Sequence, residues 1–166
     1  DCLGGLATLY QKQGKIAQAE ALALRALAIH EQHLGPLHPS TADDLHTLAM
    51  LSRDQGKPAQ AGPLFLRALS IREQALVSTH LSLAETVYEL ALFLHVQGHH
   101  DEARPLYERA LAARIHILGA THPLTITVHE RLIALLQAVS YTEDAAQLDG
   151  AQPRSVDLLR EGTLER

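Results

Sequence analysis

The sequence predicts an all-α chain, an α-solenoid of stacked antiparallel helix pairs, and three observations carry that prediction. The first is a pattern that returns every 42 positions: Leu6, Ala7, Leu9, Gln13, Gly14, Ala19, Arg25, Ala26 and Leu27 become Leu48, Ala49, Leu51, Gln55, Gly56, Ala61, Arg67, Ala68 and Leu69. They return again as Leu90, Ala91, Phe93, Gln97, Gly98, Ala103, Arg109, Ala110 and Leu111. The second is helical spacing of the apolar residues inside each copy, and the third is glycine and proline punctuation between helices. Self-similarity at a fixed period of roughly 20–50 residues marks a stacked-repeat architecture. Such a chain is quasi-one-dimensional and works through an extended surface more often than through a catalytic pocket.

In repeat one, Leu6, Ala7 and Leu9 lie on helix A, Gly14 closes it, and Ala19 to Leu27 form helix B. The linker Gly35-Pro36-Leu37-His38-Pro39 leads into repeat two. There Ser40-Thr41 offers N-cap oxygens, and Asp43 and Asp44 are expected to place negative charge in the first turn. Leu45, Leu48, Ala49 and Ser52 follow at helical spacing, and Gly56 takes the C′ position. Pro58 suits the first position of helix B, whose apolar face carries Leu64, Phe65, Ala68, Leu69, Ile71 and Leu76. Pro63 and its counterpart Pro105 are expected in the first turn, where a missing N–H breaks no intrahelical bond. The next linker is worn to Val77-Ser78-Thr79-His80-Leu81, and the third reads Gly119-Ala120-Thr121-His122-Pro123.

A fourth helix A holds Leu132, Ile133, Leu135 and Leu136 in register. Its partner is degenerate, with Ser140 in the glycine position, Ala145 retained and Gln152 at the second alanine. Residues 1–139 thus form three helix-pair repeats plus the first helix of a fourth, and 140–166 a degenerate fourth helix and capping segment. Val156, Leu158 and Leu159 mark a last short helix in 155–166. Recurrent Ala7/Ala49/Ala91 and Ala19/Ala61/Ala103 are expected to line the seam within each pair. Leu6/Leu48/Leu90 and Leu27/Leu69/Leu111 are expected to stack into one ridge.

Composition narrows the function classes. A net charge of −5 with interspersed signs gives no basic footprint for nucleic acid, and 4% aromatics without tryptophan cannot build a base-stacking platform. No apolar run approaches the ~18–20 residues that span a bilayer, so no membrane partner is expected. The single Cys2 cannot form an internal disulfide, which fits a reducing, cytoplasmic setting. The chain opens Asp1-Cys2-Leu3 and not with Met, as a segment of a longer protein would.

The order Leu-Ala, Gly, Ala-x-x-x-(Ala/Phe/Tyr)-x-x-Ala-Leu, seen as Ala61-Phe65-Ala68-Leu69 and Ala103-Tyr107-Ala110-Leu111, resembles the tetratricopeptide repeat. The 42-residue period, the Arg-Ala-Leu-x-Ile core and the Gly-x-x-His-Pro linker are similar to the kinesin-light-chain subtype, over roughly residues 3–139. A WD-type propeller would need strands and Trp-Asp pairs, and HEAT-like helices would not require these Gly/Ala positions in this order. The resemblance implies a right-handed superhelix whose A helices line a concave groove for a peptide or a segment of a partner protein. Position by position, that groove would present Thr8, Gln11 and Lys12, then His46, Met50, Arg53 and Asp54, then Glu85, Tyr88, Leu92 and His95, and finally Glu130 and Gln137. The subtype's paired asparagines before Leu-Ala are missing: Gly4-Gly5, His46-Thr47, Tyr88-Glu89 and Glu130-Arg131 stand there, and the chain contains no asparagine. The ligand contacts those asparagines make are therefore not inherited.

Other residue patterns have plainer explanations. His38, His80 and His122 recur in the linkers, where each imidazole is expected to bond nearby backbone. His95, His99, His100 and Asp101 cluster in sequence, but Gly98 breaks the helix between them, so no i, i+4 metal face and no metal or other cofactor is expected. Arg25, Arg67 and Arg109 should form a ladder pairing with glutamates. Met50, Tyr88 and Leu92 are expected to make an apolar patch that anchors a partner side chain. No Gly-x-Ser-x-Gly elbow, Gly-rich phosphate loop or base beside Cys2 supports an enzyme. Two readings follow: a scaffold that binds a protein segment in its groove, or a structural module within a larger multidomain signalling protein that self-associates through the solenoid ends.

Overall fold

The computed structural model describes residues 2–75 and 80–150, with side chains over 3–75 and 80–140. Its elements are α1 (Cys2–Lys12), α2 (Ile16–His33), α3 (Pro39–Asp54), α4 (Pro58–Ala75), α5 (Leu81–Val96), α6 (His100–Leu118) and α7 (Pro123–Gly150), with no strand among the described residues. Odd-numbered helices are the A helices and even-numbered ones the B helices. Each A helix packs on its own B helix, each B helix on the next A helix, and α1 also touches α3 as α5 touches α7. This alternation is the expected α-solenoid.

The turn inside each pair follows from glycine. Gly14, Gly56 and Gly98 adopt φ of 73°, 69° and 82°, a region open to glycine at no steric cost. Their amides bond back to Gln11, Arg53 and His95, while the next amides reach Tyr10, Ser52 and Leu94, which is the Schellman pattern. The same chemistry explains a departure from expectation. Ser140 occupies the glycine position of the fourth repeat, and α7 runs through it without a break to Gly150. A serine there has no cheap route to positive φ, so the helix continues, and the boundary expected at 139/140 falls inside α7. Leu76, the worn linker at 77–79, the side chain of Ala145, and the expected capping helix at 155–166 with Gln152 lie outside the described residues.

The linkers are closed by histidine. His38, His80 and His122 accept at Nδ1 the backbone N–H of Ser40, Ser82 and Leu124 at 3.2, 3.3 and 3.2 Å. His38 and His80 are thereby the N-caps of α3 and α5, with Pro39 at N1 of α3. Ser40 and Thr41 are consequently inside α3, not capping it. Thr41 instead donates its hydroxyl to Gly35 O at 2.9 Å. The first turn of α3 contains no acid, so Asp43 and Asp44 are not helix-dipole partners; they reach to neighbouring helices. Pro58 begins α4 as expected, but Pro63 and Pro105 lie in the second turns of α4 and α6. Both rings are exposed, where the carbonyl left without its amide can be hydrated.

The seam is alanine: Ala7, Ala49, Ala91, Ala19, Ala61 and Ala103 are fully buried. Substituting Ala61 by Leu forces extra methylenes into the α3–α4 contact, and a thermal melt should report about 1–3 kcal/mol of lost stability. The leucine ridge is continuous only from repeat two onward. Leu48, Leu90 and Leu69 are buried and Leu27 and Leu111 half-buried, whereas Leu6 is exposed because no helix pair lies before it among the described residues.

Candidate functional site

The A helices alone line a cleft of about 450 Å³ bounded by Thr8, Gln11 and Lys12 of α1, His46, Thr47 and Met50 of α3, and Glu85 of α5. Six of these seven residues are ones the sequence assigned to the groove; Thr47 is the addition. Met50 is half-buried and packs against the main core, so it forms the apolar floor, with Lys12 and Glu85 as exposed rim charges of opposite sign.

Beyond the cleft, a polar chain crosses the same three helices. Gln11 Nε2 donates to Asp54 Oδ2 at 2.9 Å, Arg53 Nε donates to Asp54 Oδ1 at 3.1 Å, and the Arg53 guanidinium also pairs with Glu89. Burial pulls the Arg53 guanidinium down, but Glu89 and then Asp54 outweigh it and hold its pKa above the usual arginine value. Glu89 was not among the sequence candidates, although it stands directly before Leu90-Ala91 in the repeat pattern.

Tyr88 is a correction. It was expected to face a guest, and it is instead buried in the main core, 9% exposed, with its ring 4.6 Å from the Arg114 guanidinium and 6.1 Å from Tyr107. Leu92 is half-buried on the same core, so the apolar patch expected from Met50, Tyr88 and Leu92 reduces to Met50 at the cleft. His46 borders the cleft but is mostly enclosed, edge-on to Phe65 at 5.8 Å and 3.4 Å from Thr86 Oγ1. Burial, and after it Arg72 and Arg53, push its pKa down to about 3. It is a neutral ring at physiological pH.

Both burials have one cause that the sequence reading missed. Position 30/72/114 near the end of each B helix carries His30, Arg72 and Arg114. His30 Nδ1 donates to Asp44 Oδ2 at 2.5 Å, tying α2 to α3. Arg72, 4% exposed, donates to Asp43 Oδ1 at 2.6 Å, to Ser82 O at 2.8 Å and to Thr86 Oγ1. Arg114 donates to Leu124 O at 2.8 Å. Each arginine thus clamps one repeat to the next A helix and lies beside position 46 or 88. Burial raises the Asp44 carboxyl, partly offset by its bond to His30.

His95 stands at the end of α5, with Nδ1 3.3 Å from Tyr107 OH and its ring 5.4 Å from His100. Burial, then His100 and Arg131, lower its pKa. His99 instead faces Glu102 at 3.2 Å. Among the described residues no three His, Cys, Asp or Glu side chains gather closely enough to hold a metal ion. Glu130 and Gln137 are exposed on α7 and do not border the α1–α3–α5 cleft. Arg67 and Arg109 do form the expected ladder, each 2.6 Å from Glu31 or Glu73 of the preceding B helix. Among the described residues no helix is long and apolar enough to cross a membrane.

Comparison with known proteins bears on this geometry. A tetratricopeptide repeat family model matches residues 3–74 and 82–148. A Podosopora anserina protein of kinesin-light-chain type, with nearly identical TPR-like repeats, superposes with a TM-score of 0.77 at 28% identity, over 89% of this chain and 70% of that one. BtubC (BKLC) from P. vanneervenii superposes with a TM-score of 0.75 at 22% identity, over 97% of this chain and 70% of that one, a likeness of fold alone. No curated protein sequence matches.

Proposed function

Since the chain belongs to the tetratricopeptide repeat family, in its 42-residue kinesin-light-chain-like form, we propose that it is a protein-interaction scaffold that holds a partner segment in the α1–α3–α5 cleft. The single observation that carries this reading is the cleft itself. At about 450 Å³ it lies within the ~300–1,000 Å³ range of sites that enclose a ligand group. It has an apolar floor at Met50, hydroxyl-bearing walls at Thr8 and Thr47, and rim charges at Lys12 and Glu85. That combination suits one apolar anchor side chain flanked by polar backbone. The polar chain from Gln11 through Asp54 and Arg53 to Glu89 braces the A helices and is internally satisfied, so it positions the wall instead of gripping the guest. The role is non-catalytic and set in a reducing interior.

Peptides selected by display against the chain provide the test. Met50→Glu, at a half-buried position on the cleft floor, is expected to weaken their binding at least tenfold, about 1.4 kcal/mol, in calorimetric titration. Lys12→Glu, at an exposed rim position, should change the salt dependence of binding with the melting temperature unaltered. Equal affinities for wild type and both variants would place the binding surface elsewhere.

A further inference from the structure

The joint between the first and second repeats is filled less completely than the two that follow it. At the joint of α3 and α4 with α5, the buried His46 ring lies beside the Arg72 guanidinium, which donates to Ser82 O at 2.8 Å and to Asp43 Oδ1 at 2.6 Å. At the joint of α5 and α6 with α7, Arg114 lies 4.6 Å from the Tyr88 ring and donates to Leu124 O at 2.8 Å. The 42-residue period sets Gly4 and His30 at the corresponding positions of repeat one. A ring is thus replaced by a hydrogen atom, and a guanidinium by a shorter imidazole. Between α1, α2 and α3 lies a pocket of about 210 Å³, bordered by Gly4, Gly5, His30, Ser40, Asp43 and Asp44.

The lining is acidic as well as roomy. Asp44 is 4% exposed and gives Oδ2 to His30 at 2.5 Å. A methyl group built on Gly4 would stand 3.7 Å from the other oxygen, Oδ1, and one built on Gly5 would meet nothing within 4 Å. The paired glycines therefore leave that side of the carboxylate open to a guest. Burial, with the charge of Asp43 added, raises the Asp44 carboxyl in spite of its bond to His30, so a cation in the pocket would be favoured. Asp43 stays joined to Arg72 and contributes its negative field at the rim. Ser40 carries the carbonyl that corresponds to Ser82 O and Leu124 O, the two that accept from Arg72 and Arg114.

We propose that this pocket receives the guanidinium of an arginine in the partner segment, in the place that the chain's own Arg72 and Arg114 take at the later joints. The inference rests on the cleft reading, because the pocket shares Thr8 and Thr47 with the α1–α3–α5 cleft, and a segment lying there passes its mouth. Arginine suits the lining better than lysine does. Its planar fork can engage the Asp44 carboxylate and the Ser40 carbonyl together, and it is more weakly hydrated than an ammonium. The recognised segment then combines an apolar anchor over Met50 with an arginine a few residues away.

The test titrates the whole chain with N-acetyl-arginine methylamide, and in parallel with its lysine and citrulline counterparts, while backbone amide resonances are followed. The arginine compound is expected to shift Gly4, Gly5, Thr8 and Thr47, and to bind about tenfold more tightly than citrulline, which has nearly its shape without its charge. Asp44→Asn keeps an oxygen for His30, removes the charge, and should weaken arginine binding about tenfold. His30→Arg should abolish that binding with the melting temperature maintained, since the chain's own guanidinium then fills the joint as Arg72 does. Gly4→His, which restores the ring of repeat two, should abolish it by occupying the space. Equal affinity for arginine and citrulline would overturn the proposal, as would equal affinity for arginine and lysine. So would arginine binding that persists in His30→Arg and in Gly4→His, or an absence of shifts at the four amides. The two readings separate cleanly. Charge-selective arginine binding, beside display-selected peptides indifferent to Met50→Glu, would remove the cleft reading and leave the pocket standing. A Met50 effect with no preference for arginine would remove the pocket alone.

Discussion

Phe65→Ala is expected to cost about 3–5 kcal/mol, the range for emptying a fully enclosed aromatic site, and to lower the melting temperature by on the order of 10 °C. Phe65 is fully buried, edge-on to His46 at 5.8 Å and tilted against Phe93 at 5.8 Å, so it touches the A helices of two repeats at once. The period makes the substitution informative, since alanine is what repeat one carries there, as Ala23. That joint is filled by Tyr10, Ile16 and Leu22 packing around Ala23. Repeat two has Ser52 where repeat one has Tyr10, so nothing large is available to occupy the space that Phe65 leaves. Repeat three combines Leu94 with Tyr107 in the same two positions. A loss under about 1 kcal/mol by urea denaturation would mean that the joint collapses around the smaller residue and that this trade of volumes is wrong.

The trade also shows why the fold was legible in the sequence and part of the site was not. Backbone-level demands recur identically: Gly14, Gly56 and Gly98 answer a positive φ, and His38, His80 and His122 answer free amides, so each can be found by counting 42. The same logic exposes the end of the regularity, because Ser140 withdraws the glycine and α7 keeps going. Side-chain burial at the groove face depends on partners from other repeats, which a single register cannot show. Thr8, Gln11, Lys12, Met50 and Glu85 were placed on the A-helix wall and do border one cleft. Tyr88 occupies an equally proper register position, yet Arg114 covers it. An arginine near the end of a B helix reads as solvated when taken alone. Only its recurrence as Arg72 and Arg114 hints that it crosses to the next repeat. Asp43 and Asp44 were misassigned for the same reason, their partners Arg72 and His30 being 29 and 14 residues away.

The stability of the chain should fall as pH drops below about 6.5, and His46 should account for a large share of the loss. Burial pushes its folded-state pKa down to about 3 from the ordinary histidine value of 6.5. Below 6.5 the unfolded chain takes up a proton that the folded chain refuses, so unfolding becomes progressively easier until pH approaches the folded value. Above 6.5 both states carry a neutral ring and the effect vanishes. Burial supplies most of the penalty, and the groups facing the ring allow no escape: Arg53 on its own helix, Arg72 and Phe65 on α4, and Thr86 on α5. Between pH 7 and pH 5 the loss assigned to this one side chain is about 2 kcal/mol, at 1.36 kcal/mol per pK unit. Comparison with His46→Gln isolates the contribution of this one side chain. Urea unfolding at a series of pH values should give a stability difference between the two proteins that shrinks by about 2 kcal/mol from pH 7 to pH 5. Parallel profiles across that window would show that the His46 ring is protonated in the folded chain, which the adjoining pair of guanidinium groups should forbid.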